Sequence, residues 1–535
     1  LTSLIRELVA LQEQDGWLRD ERLVELAERL QVPLHRLQSL GTYYTFFRRS
    51  PPGRPRVAVC RDLSCMLAGG DAAGRRLRDA LAARADVEVV PVSCPGRCDR
   101  APVALAAGRV VRTTDPGAAE RVLVDGPDAQ TDRAADATGF DEADPCAAGA
   151  ERYGALRAAV RREPGWLIAE LEAAGLRGMG GAGFPTARKW QLVAAQAATP
   201  RFVVCNADES EPGTFKDREI VSRLPHLVLE GMALAATEVG AEQGFVFIRH
   251  EYGPERARLE AAIGDARARG ALGSDVFGSG RPFDVEVFVS PGGYILGEES
   301  ALLECMEDRR GEPRNKPPFP GTTGLHGRPT LINNVETFAH AAAIAHRGRQ
   351  WWSERGAAGF AGHKFISVSG DVTHPGVHLV PFGASFASLL DRCGGMRDGR
   401  PLVAFAPGGA SSRFLGPEAL DTLVDFDAVA RAGSMLGSGA AVFVGEGHDL
   451  LDVGLSVTRF FRNESCGKCV PCRVGTDKAV KLVEAEGGLS DGLRDRLEGL
   501  QETLAATSLC GLGQVALAPL LSLAERFPDR VGRSR

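Results

Sequence analysis

Eight of the chain's twelve cysteines fall into two sets of four, and any fold for it must bring each set together. The later set is Cys466, Cys469 and Cys472, in Glu464-Ser-Cys-Gly-Lys-Cys-Val-Pro-Cys-Arg-Val-Gly-Thr476, with Cys510 following in Ser508-Leu-Cys-Gly-Leu-Gly513. A tight C-x2-C-x2-C loop directs three thiolates at three iron corners of a [4Fe-4S] cube, and a remote cysteine closes the fourth. Zinc is the alternative, although structural zinc usually takes two separate two-ligand knuckles. The spacing therefore describes a chain that moves single electrons.

The earlier set is Cys60, Cys65, Cys94 and Cys98. Val57-Ala-Val-Cys60 reads as the end of a strand, residues 72–83 as a helix, and Val87-Glu-Val-Val-Pro-Val-Ser-Cys94 as a second strand running into a cysteine. Adjacent strands would present the two pairs together. The C-x4-C and C-x3-C spacings suit a two-iron rhomb, [2Fe-2S], with zinc or free thiols as the alternatives. The remaining Cys146, Cys205, Cys305 and Cys393 are isolated, and each is expected to be a buried, inert thiol.

Composition limits the rest. With 535 residues, 44% hydrophobic and 25% charged, the chain is globular and long enough for three or four domains. A net charge of -6 and a pI near 6.0 argue against a nucleic-acid partner. No run of apolar residues is long enough to span a membrane, and the first residues lack a signal-peptide layout, so the expected location is the cytoplasm. Dispersed cysteines in such a chain suit metal ligation better than disulfides.

Between the cysteine sets lies Gly175-Leu-Arg-Gly-Met-Gly-Gly-Ala-Gly-Phe-Pro-Thr-Ala-Arg-Lys-Trp190. Backbone without side chains lets amides approach a phosphate or an aromatic ring closely, and the helix start that follows favours an anion. Gly178, Gly180 and Gly183 match G-x-G-x-x-G, but residues 166–174 before them read as helix, whereas the dinucleotide motif must leave a strand. Downstream, Asn206, Asp208, Glu209 and Glu211 follow an apolar strand end, where α/β sheets keep their ligand crevices. Glu298 and Glu299 open another helix, and Asn333 and Asn334 add amides suited to a heteroaromatic ring edge.

Of 63 basic residues only Lys189, Lys216, Lys316, Lys364, Lys468, Lys478 and Lys481 are lysine. A chain that so favours arginine keeps lysine where a compact ammonium is wanted, such as a phosphate contact or a cluster neighbour.

From about Arg152 onward the chain resembles the family of flavin-carrying NADH dehydrogenase subunits, shared by respiratory complex I, NAD-reducing hydrogenases and NAD-dependent formate dehydrogenases. The runs that carry the resemblance are 178–190, 204–218, 294–299, 316–320, 333–337, 435–440 and the four-cysteine cluster. Residues 1–125 resemble the smaller [2Fe-2S] subunit of the same machines, so two subunits are fused. The resemblance implies Gly178, Gly180, Gly181 and Lys189 around the FMN phosphate and ring, and Asn206, Asp208, Asn333 and Asn334 on its other polar groups. Glu209 belongs to the same cofactor-binding set. Glu298 and Glu299 would contact FMN or the nicotinamide nucleotide, Lys316 would face that nucleotide, and Phe319 would stack on its adenine. Glu211 would lie near the nicotinamide as the group that tunes the flavin. Met179, Leu192 and His250 depart from the family, which commonly has arginine, an aromatic residue and glycine there.

The expected architecture is multi-domain α/β. It comprises leading helices with a thioredoxin-like [2Fe-2S] domain (1–125), a linker (126–150) and an FMN/NADH-binding domain (151–355). A ubiquitin-like insertion (363–420) and a helical [4Fe-4S] bundle (426–535) follow. The implied activity is that of a diaphorase, with FMN, NAD(H), [2Fe-2S] and [4Fe-4S]. The stretch from Cys393 to Ser411 looks most like formate dehydrogenase β subunits, implying a molybdenum or tungsten α subunit as partner, with or without small accessory subunits. The alternatives are the diaphorase of a hydrogenase, a fused complex I module, or a non-catalytic iron-sulfur or zinc adapter.

Overall fold

A computed structural model of the chain describes residues 3–51, 55–82, 87–106, 109–115 and 136–532, with positions 117, 119 and 123. The fold divides into two units. The first comprises Leu1–Pro52, Thr138–Glu209 and Lys216–Lys364, and the second Gly53–Ala137, Ser210–Phe215 and Phe365–Arg535.

The second unit opens on a small mixed sheet. Arg56–Cys60 (β1) pairs in parallel with Glu88–Val92 (β2) and antiparallel with Val103–Ala106 (β3), which pairs with Arg109–Arg112 (β4), giving the order β2-β1-β3-β4. Val57 and Val59 point into a core with Leu77, Leu81 and Ala104, because helix Gly70–Leu81 crosses over between the two parallel strands. Both cysteine pairs leave neighbouring strand ends, as the sequence indicates.

The expected linker is only partly irregular. Its residues 126–135 lie outside the described ones, but Asp136–Thr138 forms a strand (β5), followed by helix Phe140–Ala143 and the turn Pro145–Ala148. A three-residue strand is too short to show a period, so composition hides it.

The first unit is built on four parallel strands: Phe202–Ala207 (β6), Gln243–Arg249 (β7), Asp284–Ser290 (β8) and Thr330–Asn334 (β9). Their order is β8-β7-β6-β9. The chain therefore steps one way from β6 and returns on its other side, so β6 and β9 flank a topological switch point, where such sheets bind ligands at their carboxyl ends. Helices Pro225–Val239 and Gly253–Ala268 make the crossovers. The leading helices Leu4–Asp15, Asp20–Leu30 and Leu34–Tyr43 also belong to this unit. Tyr44 donates its hydroxyl to Arg309 O at 2.6 Å, Tyr43 to Gly311 O at 3.1 Å, and Arg6 pairs with Glu286 at 2.5 Å. They pack against the parallel sheet's elements, whereas sequence order groups them with the [2Fe-2S] domain.

The second unit resumes with His363–Gly370 (β10), Gly376–Pro381 (β11), helix Phe386–Arg392, Leu402–Ala406 (β12) and Ala440–Gly445 (β13). The sheet order is β12-β13-β10-β11-β5. β13 lies inside it, so this sheet extends past residue 420 and the segment from 426 is not wholly helical. Every residue of β13 is buried, which erases the alternation that marks a half-buried strand. Helices Leu450–Glu464, Val470–Glu486, Asp491–Thr507 and Ala518–Arg526 complete the bundle. Among the described residues no helix is long and apolar enough to cross a membrane.

Candidate flavin and iron-sulfur sites

Helix Trp166–Ala174 ends at Gly175 (φ 65°), and the glycine loop runs from there to helix Thr186–Ala194. It follows a helix, as the sequence indicates, so it is no Rossmann turn. Gly178 N–H donates to Phe184 O at 2.8 Å and Arg177 Nε to Gly183 O at 2.7 Å, closing the loop on itself. A Cβ at Gly180 would stand 3.0 Å from Asn334 Cβ, and Gly181 holds φ 134°, so side chains are excluded where the loop meets the end of β9.

The switch point gathers most of the expected residues. Asn206 at the end of β6 stands opposite Asn334 at the end of β9. Asn206 Nδ2 donates to Gly297 O at 2.9 Å and its Oδ1 accepts from Asp208 N–H at 3.1 Å. Asn333 Oδ1 accepts from Trp190 Nε1 at 3.2 Å. Asn334 caps helix Val335–Ser353 through Glu336 N–H and donates to Asp217 at 2.6 Å. All three amides are thus engaged inside the protein.

The carboxylates divide by role. Glu298 Oε2 caps helix Glu299–Met306, accepting from Ser300 and Ala301 N–H at 2.9 Å each, while its Oε1 takes Lys316 Nζ at 2.7 Å. Glu299 lies between Lys316 (2.9 Å) and Lys189 (3.2 Å), and Lys189 also donates to Ile332 O at 2.8 Å. Burial works against the charge of Glu299, but the two ammonium groups prevail and hold it below the usual carboxylate range. Glu209 is turned into the fold. Its oxygens accept from Asp217 N–H (2.9 Å), Arg218 N–H (3.1 Å) and Tyr252 hydroxyl (3.0 Å), and burial, with Asp217 next, lifts it to about 7. Phe319 stands 58% exposed and Leu192 50%.

Two residues here carry more contacts than their sequence context suggests. Lys364 and Glu336 are fully buried and pair at 2.9 Å, with Lys216 on the same Glu336 oxygen at 2.9 Å. The scarcity of lysine was the available signal.

In the second unit, Cys60 ends β1, Cys65 sits in helix Leu63–Leu67, and Cys94 and Cys98 follow β2. Contact with Cys65 and Cys94, and then burial, pushes the Cys60 thiol up; Cys94, and then burial, does the same to Cys98. Cys94 and Cys98 sulfurs are 3.3 Å apart. Among the described residues no group of three or more such side chains stands in ion-holding geometry as it is; the crowding of Cys60 and of Cys98 against Cys94 is of the kind that a bound cation would relieve. Gly213 N–H donates to Cys98 Sγ at 3.3 Å. Glu211, two residues earlier, accepts from Ser411 N–H (2.8 Å) and Oγ (2.5 Å); burial lifts its pKa to about 7 against these two bonds.

Cys469 and Cys510 each precede a helix, Val470–Glu486 and Gly511–Val515, and Cys472 lies in the first turn of the longer one. Leu509 N–H reaches Cys469 Sγ at 3.4 Å, and a Cβ on Gly513 would stand 3.2 Å from Cys472 Cβ. The segment that carries the distant cysteine is therefore brought to Cys469 and Cys472, and the helix N-terminal charge there would favour an anionic group. Cys205, Cys305 and Cys393 are buried as expected, while Cys146 is only half-buried.

Three family models match: the Nuo51 FMN-binding domain over residues 171–343, the thioredoxin-like [2Fe-2S] ferredoxin over 2–125, and the NADH-ubiquinone oxidoreductase-F iron-sulfur binding region over 452–534. The F subunit of the NADH-quinone oxidoreductase of Streptomyces coelicolor is 40% identical over 382 residues, covering 71% of this chain and 85% of the relative. The HndC subunit of the NADP-reducing hydrogenase of Solidesulfovibrio fructosivorans is 39% identical over 380 residues, covering 70% and 77%. A chain of an NAD+-reducing [NiFe]-hydrogenase in the H2-reduced state superposes with a TM-score of 0.88 at 30% identity, covering 99% of this chain and 92% of the other.

Proposed function

Because the chain belongs to the family of NADH-quinone oxidoreductase F subunits, NAD-linked oxidoreductases that bind FMN, NADH and iron-sulfur clusters, we propose that it is the diaphorase subunit of a larger NAD-dependent oxidoreductase. The observation that carries this reading is the switch-point crevice, where the glycine loop, Asn206, Asn334 and the Lys189–Glu299–Lys316–Glu298 array share the carboxyl ends of β6 and β9. A flavin held there would supply the link between two-electron hydride transfer and the single-electron transfer that iron-sulfur clusters require.

The residues divide the work. Gly178, Gly180, Gly181 and Lys189 would hold the flavin phosphate, and Asn206, Asp208, Asn333 and Asn334 its polar edge. Glu209 supports that edge from within by anchoring helix Lys216–Arg223. Lys316, neutralised by Glu298 and Glu299, would meet the nucleotide, and Phe319 would cover its adenine. Glu211 would tune the flavin and its access to oxygen. Cys60, Cys65, Cys94 and Cys98 would hold [2Fe-2S], and Cys466, Cys469, Cys472 and Cys510 [4Fe-4S]. Anaerobic purification tests this: the protein should release a yellow, fluorescent flavin on denaturation and oxidise NADH with ferricyanide. A protein with iron or zinc but no flavin would instead be a non-catalytic adapter.

For the partner we favour the molybdenum or tungsten α subunit of a formate dehydrogenase. The stretch from Cys393 to Ser411 supports it, and its last residue holds Glu211. A hydrogenase partner is the second reading, supported by the likeness of nearly the whole chain to a hydrogenase chain. Metal analysis of the native complex separates them. Molybdenum or tungsten supports the first and nickel the second, and iron alone favours a complex I module or an isolated diaphorase.

A further inference from the structure

The roles proposed above do not use the buried Lys364. Lys364, on β10, is fully buried, and its Nζ donates to Met179 O at 3.0 Å and to Glu336 Oε2 at 2.9 Å. Glu336 also holds Lys216 through Oε2 at 2.9 Å and lies 3.2 Å from His340 Nε2 through Oε1. Lys216 continues to Asp217 at 2.7 Å and to Asn334 Oδ1 at 3.3 Å, and Asp217 accepts from Asn334 Nδ2 at 2.6 Å. One buried chain of charged contacts thus runs from the Met179 carbonyl to the Asn334 amide, joining the glycine loop to the end of β9.

The geometry at Met179 gives Lys364 a task. A trans peptide sets its C=O and N–H in opposite directions. With the Met179 oxygen drawn inward onto Lys364, the Gly180 N–H of the same peptide points outward, and Gly180 is exposed. The Met179 N–H is separately pinned on Thr337 Oγ1 at 2.9 Å, so this residue is held at both ends. A buried ammonium is costly unless paired, and this chain keeps lysine at only a few positions, so an apolar residue would be the cheaper choice if packing were the only need.

We propose that Lys364 is a positioning residue for the flavin: it aims the Gly180 N–H at the bound phosphate, and losing its proton slackens that hold. The inference rests on the reading that residues 178–181 hold the flavin. The groups facing Lys364 are Glu336 and His340 from helix Val335–Ser353, Lys216 and Asp217 from helix Lys216–Arg223, and the adjacent His363. Burial brings Lys364 down to about 8, with Glu336 opposing and Lys216 adding to the fall. Glu336 is held well below the carboxylate range: burial opposes its charge, but Lys216 and Lys364 prevail. Burial is also the leading cause that lowers His340 and His363. Lys216 is raised, because Asp217 and Glu336 outweigh burial. Lys364 is therefore the member of this group that changes charge just above neutrality.

The test is the rate of FMN release from the purified native complex, read as recovered flavin fluorescence between about pH 7 and about pH 9, with iron content measured alongside. Release from the natural protein should quicken about tenfold across that range. Lys364→Arg keeps the charge and should flatten the profile, and Lys364→Met should release quickly at every pH with its iron unchanged. A flat profile in the natural protein overturns the proposal, as does a Lys364→Met protein that retains FMN equally well. Should Lys364→Met fail to fold, the natural profile and Lys364→Arg decide. A natural complex that carries iron but no flavin at any pH would mean instead that the flavin reading itself had failed.

Discussion

Ser411 holds Glu211 by two donors on a single oxygen, its N–H at 2.8 Å and its hydroxyl at 2.5 Å, across 200 residues of sequence. These bonds favour the carboxylate, but burial outweighs them and leaves the group titrating at about 7. NADH oxidation should then show an inflection near neutrality. Ser411→Ala should move it upward, and Glu211→Gln should remove it and change peroxide formation. An unchanged profile and unchanged peroxide in Glu211→Gln would discard the tuning role. The stability sign follows. A carboxyl raised above its ordinary range stabilises most below about 4.5 and loses that contribution as pH rises through about 7. The melting temperature of Glu211→Gln should therefore gain on the natural protein's between pH 5 and pH 8.

Lys316 bridges two carboxylates, Glu298 at 2.7 Å and Glu299 at 2.9 Å. In the proposed nucleotide site, removing it would leave both facing an anion, with Lys189 the remaining partner of Glu299. Lys316→Ala should raise KM for NADH about tenfold, the worth of one charge-assisted bond of about 1.5 kcal/mol, and change kcat far less. Steady-state rates with ferricyanide measure both, and an unaltered KM would remove Lys316 from the nucleotide site.

The cysteine sets were legible because their chemistry is local. Three thiols within one loop, or two pairs on successive strand ends, leave a spacing that survives any packing. The glycine loop was legible for the same reason, and the helix before it correctly ruled out a Rossmann turn. Long-range pairing was not. Nothing around Ser411 marks it as the partner of Glu211, and nothing around Lys364 marks Met179 O as its acceptor, since those contacts exist only once the sheets are formed. β13 escaped because burial on both faces removes alternation, and β5 because it is three residues long. The packing partner of the leading helices was hidden for a related reason. Tyr44 meets Arg309 O by tertiary packing, which sequence proximity to the [2Fe-2S] cysteines does not reveal.

The two cysteine sets should fail independently, because they occupy separate folds within the second unit. Cys510→Ala should lower iron from about six atoms per chain to about two and abolish the [4Fe-4S] spectrum, leaving that of [2Fe-2S]. Cys65→Ala should do the reverse, retaining about four. Iron analysis with low-temperature EPR of dithionite-reduced protein reads both. Loss of both signals from either variant would show that the cluster sites are not separate.

Gly231 ties the stability of the first unit to its site. It lies in helix Pro225–Val239, and a Cβ there would stand 2.1 Å from Phe338 O on helix Val335–Ser353. That neighbour is backbone, so no rotamer change relieves the clash and the helices must separate. Overpacking of this kind costs about 1–3 kcal/mol, and a rigid backbone contact puts Gly231→Ala near the upper end. The displaced helix begins at Val335, directly after Asn334, and carries Glu336 in its first turn. Moving it should therefore loosen the contacts of Asn334 with Asp217 and of Glu336 with Lys364 as well. Gly231→Ala should melt several degrees lower and lose FMN faster than the natural protein, while keeping its iron. A lower melting point with FMN retention unchanged would show that the helix shifts without carrying Asn334, and the link between this packing contact and the flavin would be withdrawn.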